Sequence, residues 1–290
     1  MTRVLAVFFL GTLGIAFAAL FVRWALPAPP VVTAFYRLAI AMTLLWSWIT
    51  LTRRPVRASG AALRACLAAG ACFGADMAMW NSAVATTSVA NATLLVNTTP
   101  IWVGLWLLLR RREPMRPALL AGGLLAVAGS SVLVQADGGG VGAWRGDLLA
   151  LGAALFYAGY LLFIKAAREE LEAAQAVAWA GLAATAVVAT VALLRGDAFH
   201  GFPLRSWASF LAIAVVSHLG GVLGIVWALR ELRPGFAAVA LLAQPVGTAL
   251  LGWWLLGEAL GPVELLGGSL ALAGIALASR AARAPGRLAS

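Results

Sequence analysis

Asp76 and His218 are the two side chains of this sequence best placed to do chemistry, because each lies far inside an apolar run. Asp76 follows Arg64 by twelve residues, about 18 Å along a helix. His218 lies thirteen residues after Arg205 and twelve before Arg230. Hydrocarbon penalises an ionisable group, so one retained there is a functional hypothesis by default. An acid and an imidazole at that depth can bind a polar solute or pass a proton. The alternative for each is structural: Asp76 neutral and hydrogen-bonded, His218 a satisfied packing residue.

Phe73, Met79 and Trp80 accompany Asp76 at helical spacing. Asn91, Leu95, Thr98 and Trp102 share one face of the next stretch, Tyr157 and Tyr160 fall in a later one, and Gln244 and Thr248 flank Pro245. The candidate substrate-binding set is therefore Asp76, Met79, Trp80, Asn91, Thr98, Trp102, Tyr157, His218 and Gln244. Its aromatic faces and polarizable sulfur suit flat or bulky apolar groups, and its polar members suit an ammonium or a carboxylate. Trp80 and Trp102 read either as cavity wall or as packing, several residues deeper than an interfacial anchor needs. Pro100 and Pro245 would each break a helical ladder near the midplane and free a carbonyl, which makes them candidate gating points. Arg37, one turn inside the outer end of its stretch, either snorkels to the surface or enters an ion pair. Gly70 with Gly74, and Gly220 with Gly224, have the spacing for close helix contact.

Ten apolar stretches carry these residues, over 4–22, 33–51, 62–83, 88–109, 117–136, 146–164, 174–194, 206–229, 235–256 and 262–280. About 20 residues cross a bilayer core, so the pattern predicts an all-α polytopic membrane protein with ten transmembrane helices. Composition agrees: 62% of residues are apolar and 11% charged, with a mean hydropathy of +0.93. A soluble domain carries about a quarter charged residues. That shortfall excludes a soluble enzyme, a disordered chain and a nucleic-acid-binding domain. The first run of 19 residues, longer than a signal-peptide core, reads as an uncleaved helix. Cys66 and Cys72 fall on different faces of one helix and read as small buried residues.

The net charge of +10 is split into small groups between the apolar runs. One set of connections holds Arg3; Arg53, Arg54, Arg57 and Arg64; Arg110, Arg111, Arg112 and Arg116; Lys165 and Arg168; Arg230 and Arg233; Arg280, Arg283 and Arg287. The other holds Arg23, Arg145, Arg195 and Arg205. A split of sixteen to four predicts both termini in the cytoplasm, with the connection near Asp137 to Gly142 outside. The triplet Arg110, Arg111 and Arg112 reads as a topology signal against anionic lipid.

Half a chain apart, the sequence repeats. Pro100, Glu113, Pro117, Gly122, Gly123 and Gly129 recur as Pro245, Glu258, Pro262, Gly267, Gly268 and Gly274, at a constant offset of 145. Each unit holds five stretches, an odd number, so the second must sit inverted relative to the first, as in secondary transporters with a midplane site. The units are 1–141 and 142–290. Glu113 and Glu258 just precede the fifth and tenth helices, where an acid complements the helix dipole.

The run Pro-x12-Glu-x3-Pro-x4-Gly-Gly closing each unit, Gly146-Asp147-Leu148-Leu149-Ala150-Leu151 opening the second, and Ala34-Phe35-Tyr36-Arg37 resemble the drug/metabolite transporter superfamily. Within it they are similar to ten-helix members with two EamA units, bacterial exporters of aromatic amino acids among them. The resemblance spans essentially the whole chain. It implies a multi-pass protein of the inner (cytoplasmic) membrane that exports small organic solutes by alternating access, without a cofactor, with a proton as candidate coupling ion. No H-E-x-x-H, G-x-S-x-G or Walker A run is present, and no metal-ligand spacing, so an enzyme is disfavoured. A passive channel shares the composition and stays open as the alternative.

Overall fold

Prolines and charged caps set most helix starts in this chain. A computed structural model describes residues 2–53, 57–84, 86, 92, 95–110, 117–135, 144–256 and 261–283. Pro30, Pro234 and Pro262 open their helices, where a missing N–H costs nothing. A capping box between Glu172 and Gln175 opens another. The helices are α1 (Thr2–Ala16), α2 (Ala18–Ala25), α3 (Pro30–Leu51), α4 (Gly60–Val84), α5 (Thr99–Leu109), α6 (Pro117–Gln135), α7 (Trp144–Ala167) and α8 (Ala173–Leu194). There follow α9 (Leu204–Ala212), a π-helical stretch (Ile213–Val222), α10 (Leu223–Ala228), α11 (Pro234–Ala240), α12 (Ala243–Leu256) and α13 (Pro262–Arg283). The three pieces from Leu204 to Ala228 form one rod.

Seven helical segments are long and apolar enough to cross a membrane, and α5, Leu120–Val132 and Leu265–Ala278 are shorter apolar helices. Among the described residues all regular structure is helical. Three predicted continuous stretches are broken, among them the fourth, at Asn97 and Thr98 just before α5. The first is interrupted at Phe17, between α1 and α2, and the carbonyl of Ala16 accepts the Thr248 hydroxyl at 3.4 Å. The ninth is interrupted at Leu241 and Leu242, between α11 and α12.

Helices of the two halves interleave. α4 packs on α7 and α8, the rod packs on α1 and α3, α3 packs on α8, and α6 on α13. Glycines let these pairs close. A Cβ on Gly129 would lie 2.2 Å from the backbone nitrogen of Ala271, and one on Gly274 would lie 2.4 Å from that of Ala126. Gly70 meets the carbonyl of Ala180 and Gly74 that of Ala184, so that glycine pair brings α4 onto α8. The other expected pair is corrected. Gly220 and Gly224 have ordinary space around them, 3.5 Å to the nearest atom, and it is Gly221 that meets α1 at Gly11 and Ile15. Asn91, Glu113, Glu258, Arg111, Arg112 and the connection 137–142 lie outside the described residues.

Candidate functional site

Arg37 sits two turns inside α3, too far from its start for the side chain to reach the surface, and is 6% exposed. The snorkelling alternative is thereby corrected. Its Nε has no hydrogen-bond partner among the described residues. Its helix packs against α4, which bears Asp76, and against the π-helical stretch, which bears His218. With Tyr157 and Tyr160 on the α7 that packs on α4, these residues form a cluster drawn from four segments.

Asp76 is 3% exposed and His218 is 1% exposed. They face the cluster from opposite halves of the chain, across Phe73. The Phe73 ring lies 4.7 Å from that of Tyr160 and 6.0 Å from the imidazole of His218, and Tyr157 stacks on Tyr160 at 5.9 Å. Both nitrogens of His218 and the Oγ of its neighbour Ser217 are buried without a hydrogen-bond partner among the described residues. Native interiors satisfy nearly all buried polar atoms, so a group of orphans calls for a specific explanation. The π-helical winding is a second sign, since such stretches concentrate at functional sites.

Of the predicted residues, the structure brings Asp76, Tyr157 and His218 together. Met79 lies on α4 against Gly152 of α7, where a Cβ would meet its Cε at 2.2 Å. Trp80, one turn beyond Asp76, is partly buried. Trp102 on α5 packs against the main core with its indole N–H unpartnered. The Thr98 hydroxyl donates to the carbonyl of Leu95 at 2.6 Å, and Gln244 is partly buried in the first turn of α12. Among the described residues, none of the cluster's ring or charge contacts reaches Trp80, Thr98, Trp102 or Gln244.

The prolines need a correction of place. Pro100 and Pro245 do not interrupt helices; each lies in the first turn of a helix that restarts after a break. Before Pro100 the chain tightens, with the N–H of Thr98 donating to Leu95 at 3.1 Å and that of Ile101 to Thr98 at 2.8 Å. Proline cannot supply the bond that the Val96 carbonyl expects, and the Thr99 hydroxyl donates to it at 2.7 Å instead. Before Pro245 the Leu241 carbonyl accepts the N–H of Gln244 at 2.9 Å.

The two ends of the site differ. At the base-poor end Tyr36, the residue before Arg37, donates to the carbonyl of Phe199 at 2.5 Å and packs 4.8 Å from both Phe210 and Trp207. At the base-rich end an open groove of about 570 Å³ runs between Val7, Arg168, Glu172 and Trp227, with Leu219 and Gly220, the residues after His218, in its wall. Arg168 donates to the carbonyls of Val226 at 3.0 Å and Leu171, and Lys165 donates to that of Arg230 at 2.7 Å. Nearby, the backbone N–H and hydroxyl of Ser59 donate to the Glu170 carboxylate at 2.7 and 2.6 Å, which holds that carboxyl below its ordinary range.

Among the described residues no group of three His, Cys, Asp or Glu side chains is arranged to hold a metal. The EamA-like transporter family matches the chain twice, over residues 2–135 and 144–280. A curated relative, the uncharacterized transporter YwfM of Bacillus subtilis (strain 168), is 28% identical over 268 residues, 88% of this chain and 86% of that one. A structure described only as "Crystal structure of protein" covers both chains fully at a TM-score of 0.83 and 22% identity, a likeness of fold. With two matches that together take in most of its length, the chain belongs to the EamA-like transporter family of the drug/metabolite transporter superfamily.

Proposed function

We propose that this chain is a secondary transporter of the inner membrane that exports amino acids with aromatic or large apolar side chains by alternating access. The observation that carries the reading is the cluster of Arg37, Asp76 and His218 against the rings of Phe73, Tyr157 and Tyr160. Charged groups of both signs meet a zwitterion's two ends, and the rings meet a flat side chain. The ten apolar stretches support ten spans, and the base asymmetry supports both termini in the cytoplasm. Inverted halves, 1–141 and 142–290, are supported by the packing. α4 on α7 and α8 mirrors the rod on α1 and α3, while α3 with α8 and α6 with α13 each pair with their own counterpart.

In this reading Trp80, Met79 and Trp102 line the path, with Asn91, Thr98 and Gln244 as further polar contacts. Pro100 and Pro245 keep the two breaks open. The groove beside Arg168 is the cytoplasmic approach, and the rings around Tyr36 are the outer closure. The test is uptake of labelled amino acids into proteoliposomes. Saturable phenylalanine and leucine uptake, cut at least tenfold by Asp76→Asn, is expected. Flux that rises linearly with concentration, or transport of sugars or inorganic ions instead, overturns the reading.

A further inference from the structure

Resting on that reading of the central site, we infer that His218 reads the ring of the substrate. Aromatic amino acids whose ring carries a hydrogen-bonding group, a phenol hydroxyl or an indole N–H, are then preferred over those with a bare hydrocarbon ring. His218 is 1% exposed, and both of its ring nitrogens lack a hydrogen-bond partner among the described residues. A neutral imidazole offers a donor at one nitrogen and an acceptor at the other. Buried and left open, these atoms favour a ligand that bonds them and disfavour an equally shaped one that does not.

Its neighbours place His218 on the ring side of the site. The imidazole lies 6.0 Å from the ring of Phe73, which lies 4.7 Å from that of Tyr160, and Tyr160 stacks on Tyr157 at 5.9 Å. The imidazole therefore ends a row of rings. Asp76 follows Phe73 on α4 by three residues, about 4.5 Å along the axis. An amino acid whose ammonium meets Asp76 has its side chain among those rings, and a polar group on that side chain is within the reach of His218.

The π-helical winding holds the imidazole there. Gly221 packs the stretch against Gly11 and Ile15 of α1, while His218 is turned to Phe73 of α4. Access follows from the same segment. Leu219 and Gly220, the next two residues, line the open groove of about 570 Å³ at the base-rich end. A solute entering there meets a wall one residue from the imidazole. The chain holds two histidines, and the other, His200, is exposed in the connection between α8 and α9. Ring-nitrogen signals therefore report on His218 without altering it.

The test uses the full chain in detergent with two pairs of probes of nearly equal shape. Tyrosine is set against 4-methylphenylalanine, and tryptophan against 3-benzothienylalanine, in which sulfur replaces the indole N–H. Thermal stabilisation reports binding, and isotope-labelled histidine reports the imidazole nitrogens by magnetic resonance. Tyrosine and tryptophan should each bind about tenfold tighter than their partners, the worth of one buried hydrogen bond left unmade. They should also shift the signals of the buried imidazole, which the partners should not. His218→Phe should collapse both preferences while keeping 4-methylphenylalanine bound. His218→Gln, whose amide donates and accepts, should retain part of the preference for tyrosine. Equal binding within both pairs by the unaltered protein, a preference unchanged in His218→Phe, or imidazole signals indifferent to tyrosine overturns the role of His218. None of these touches the uptake of phenylalanine and leucine that supports transport. A His218-dependent preference in a protein that moves no amino acid into proteoliposomes would instead overturn the transport reading and keep His218 as the reader of the ring.

Discussion

His218 of the rod lies 6.0 Å from the ring of Phe73 on α4, so the two halves of the chain meet there, on the helix that also buries Asp76 and beside the one that buries Arg37. Each ionisable side chain buried there costs stability that an apolar residue in the same space would not.

The breaks before Pro100 and Pro245 should set the exchange rate. Alanine at either position restores an N–H that can bond the carbonyl four residues back, Val96 or Leu241, and so extend the helix across its break. Each single variant should slow phenylalanine exchange severalfold without weakening its binding. Rates equal to the unaltered protein in both variants would reduce the prolines to packing features.

Close glycine contact should matter at some positions and not at others. A Cβ on Gly129 meets backbone of α13 at 2.2 Å, whereas one on Gly220 meets nothing nearer than 3.5 Å. Gly129→Val should cost about 1–3 kcal/mol through overpacking, read as a lower melting temperature in detergent. Gly220→Ala should leave it unchanged or slightly higher, because alanine favours a helix over glycine by about 1 kcal/mol.

Most of the helix pattern was legible because apolar runs and prolines act locally. The interruption at Phe17, beside the Ala16 carbonyl that accepts the Thr248 hydroxyl, was not, whereas the one at Leu241 follows from Pro245, which cannot bond the Leu241 carbonyl. Asp76 and His218 stood out as ionisable residues deep in apolar runs. Arg37 reads two ways in the sequence because it lies near a helix end, and its burial removes the snorkelling alternative. Gly221 rather than Gly220 makes the close contact because π-helical winding rotates that stretch out of the register that α-helical spacing assumes.

The tie between Ser59 and Glu170 should be pH-dependent. Hydrogen bonds hold the folded carboxyl below its ordinary range, so the tie contributes above the unfolded value, about 4.3, and fades as pH falls through the folded one. Ser59→Ala should lower the melting temperature near neutral pH, and the difference should close in acid. A difference that persists below the carboxylate range would show that Ser59 acts otherwise.

Trp102→Ala should weaken transport of aromatic amino acids more than that of alanine, through loss of stacking worth about 0.5–1.5 kcal/mol. Competition uptake with the two substrates side by side measures this. Equal losses would make Trp102 a support for α5 rather than part of the substrate path.

Entrance counterflow tests the carrier mechanism most directly. Proteoliposomes preloaded with unlabelled phenylalanine are diluted into a trace of labelled phenylalanine. A carrier that exposes the Arg37–Asp76 site to one side at a time accumulates label transiently above its equilibrium level, and Asp76→Asn should abolish the overshoot. Label that rises to equilibrium without an overshoot, at a rate indifferent to the preload, would contradict alternating access and identify a pore.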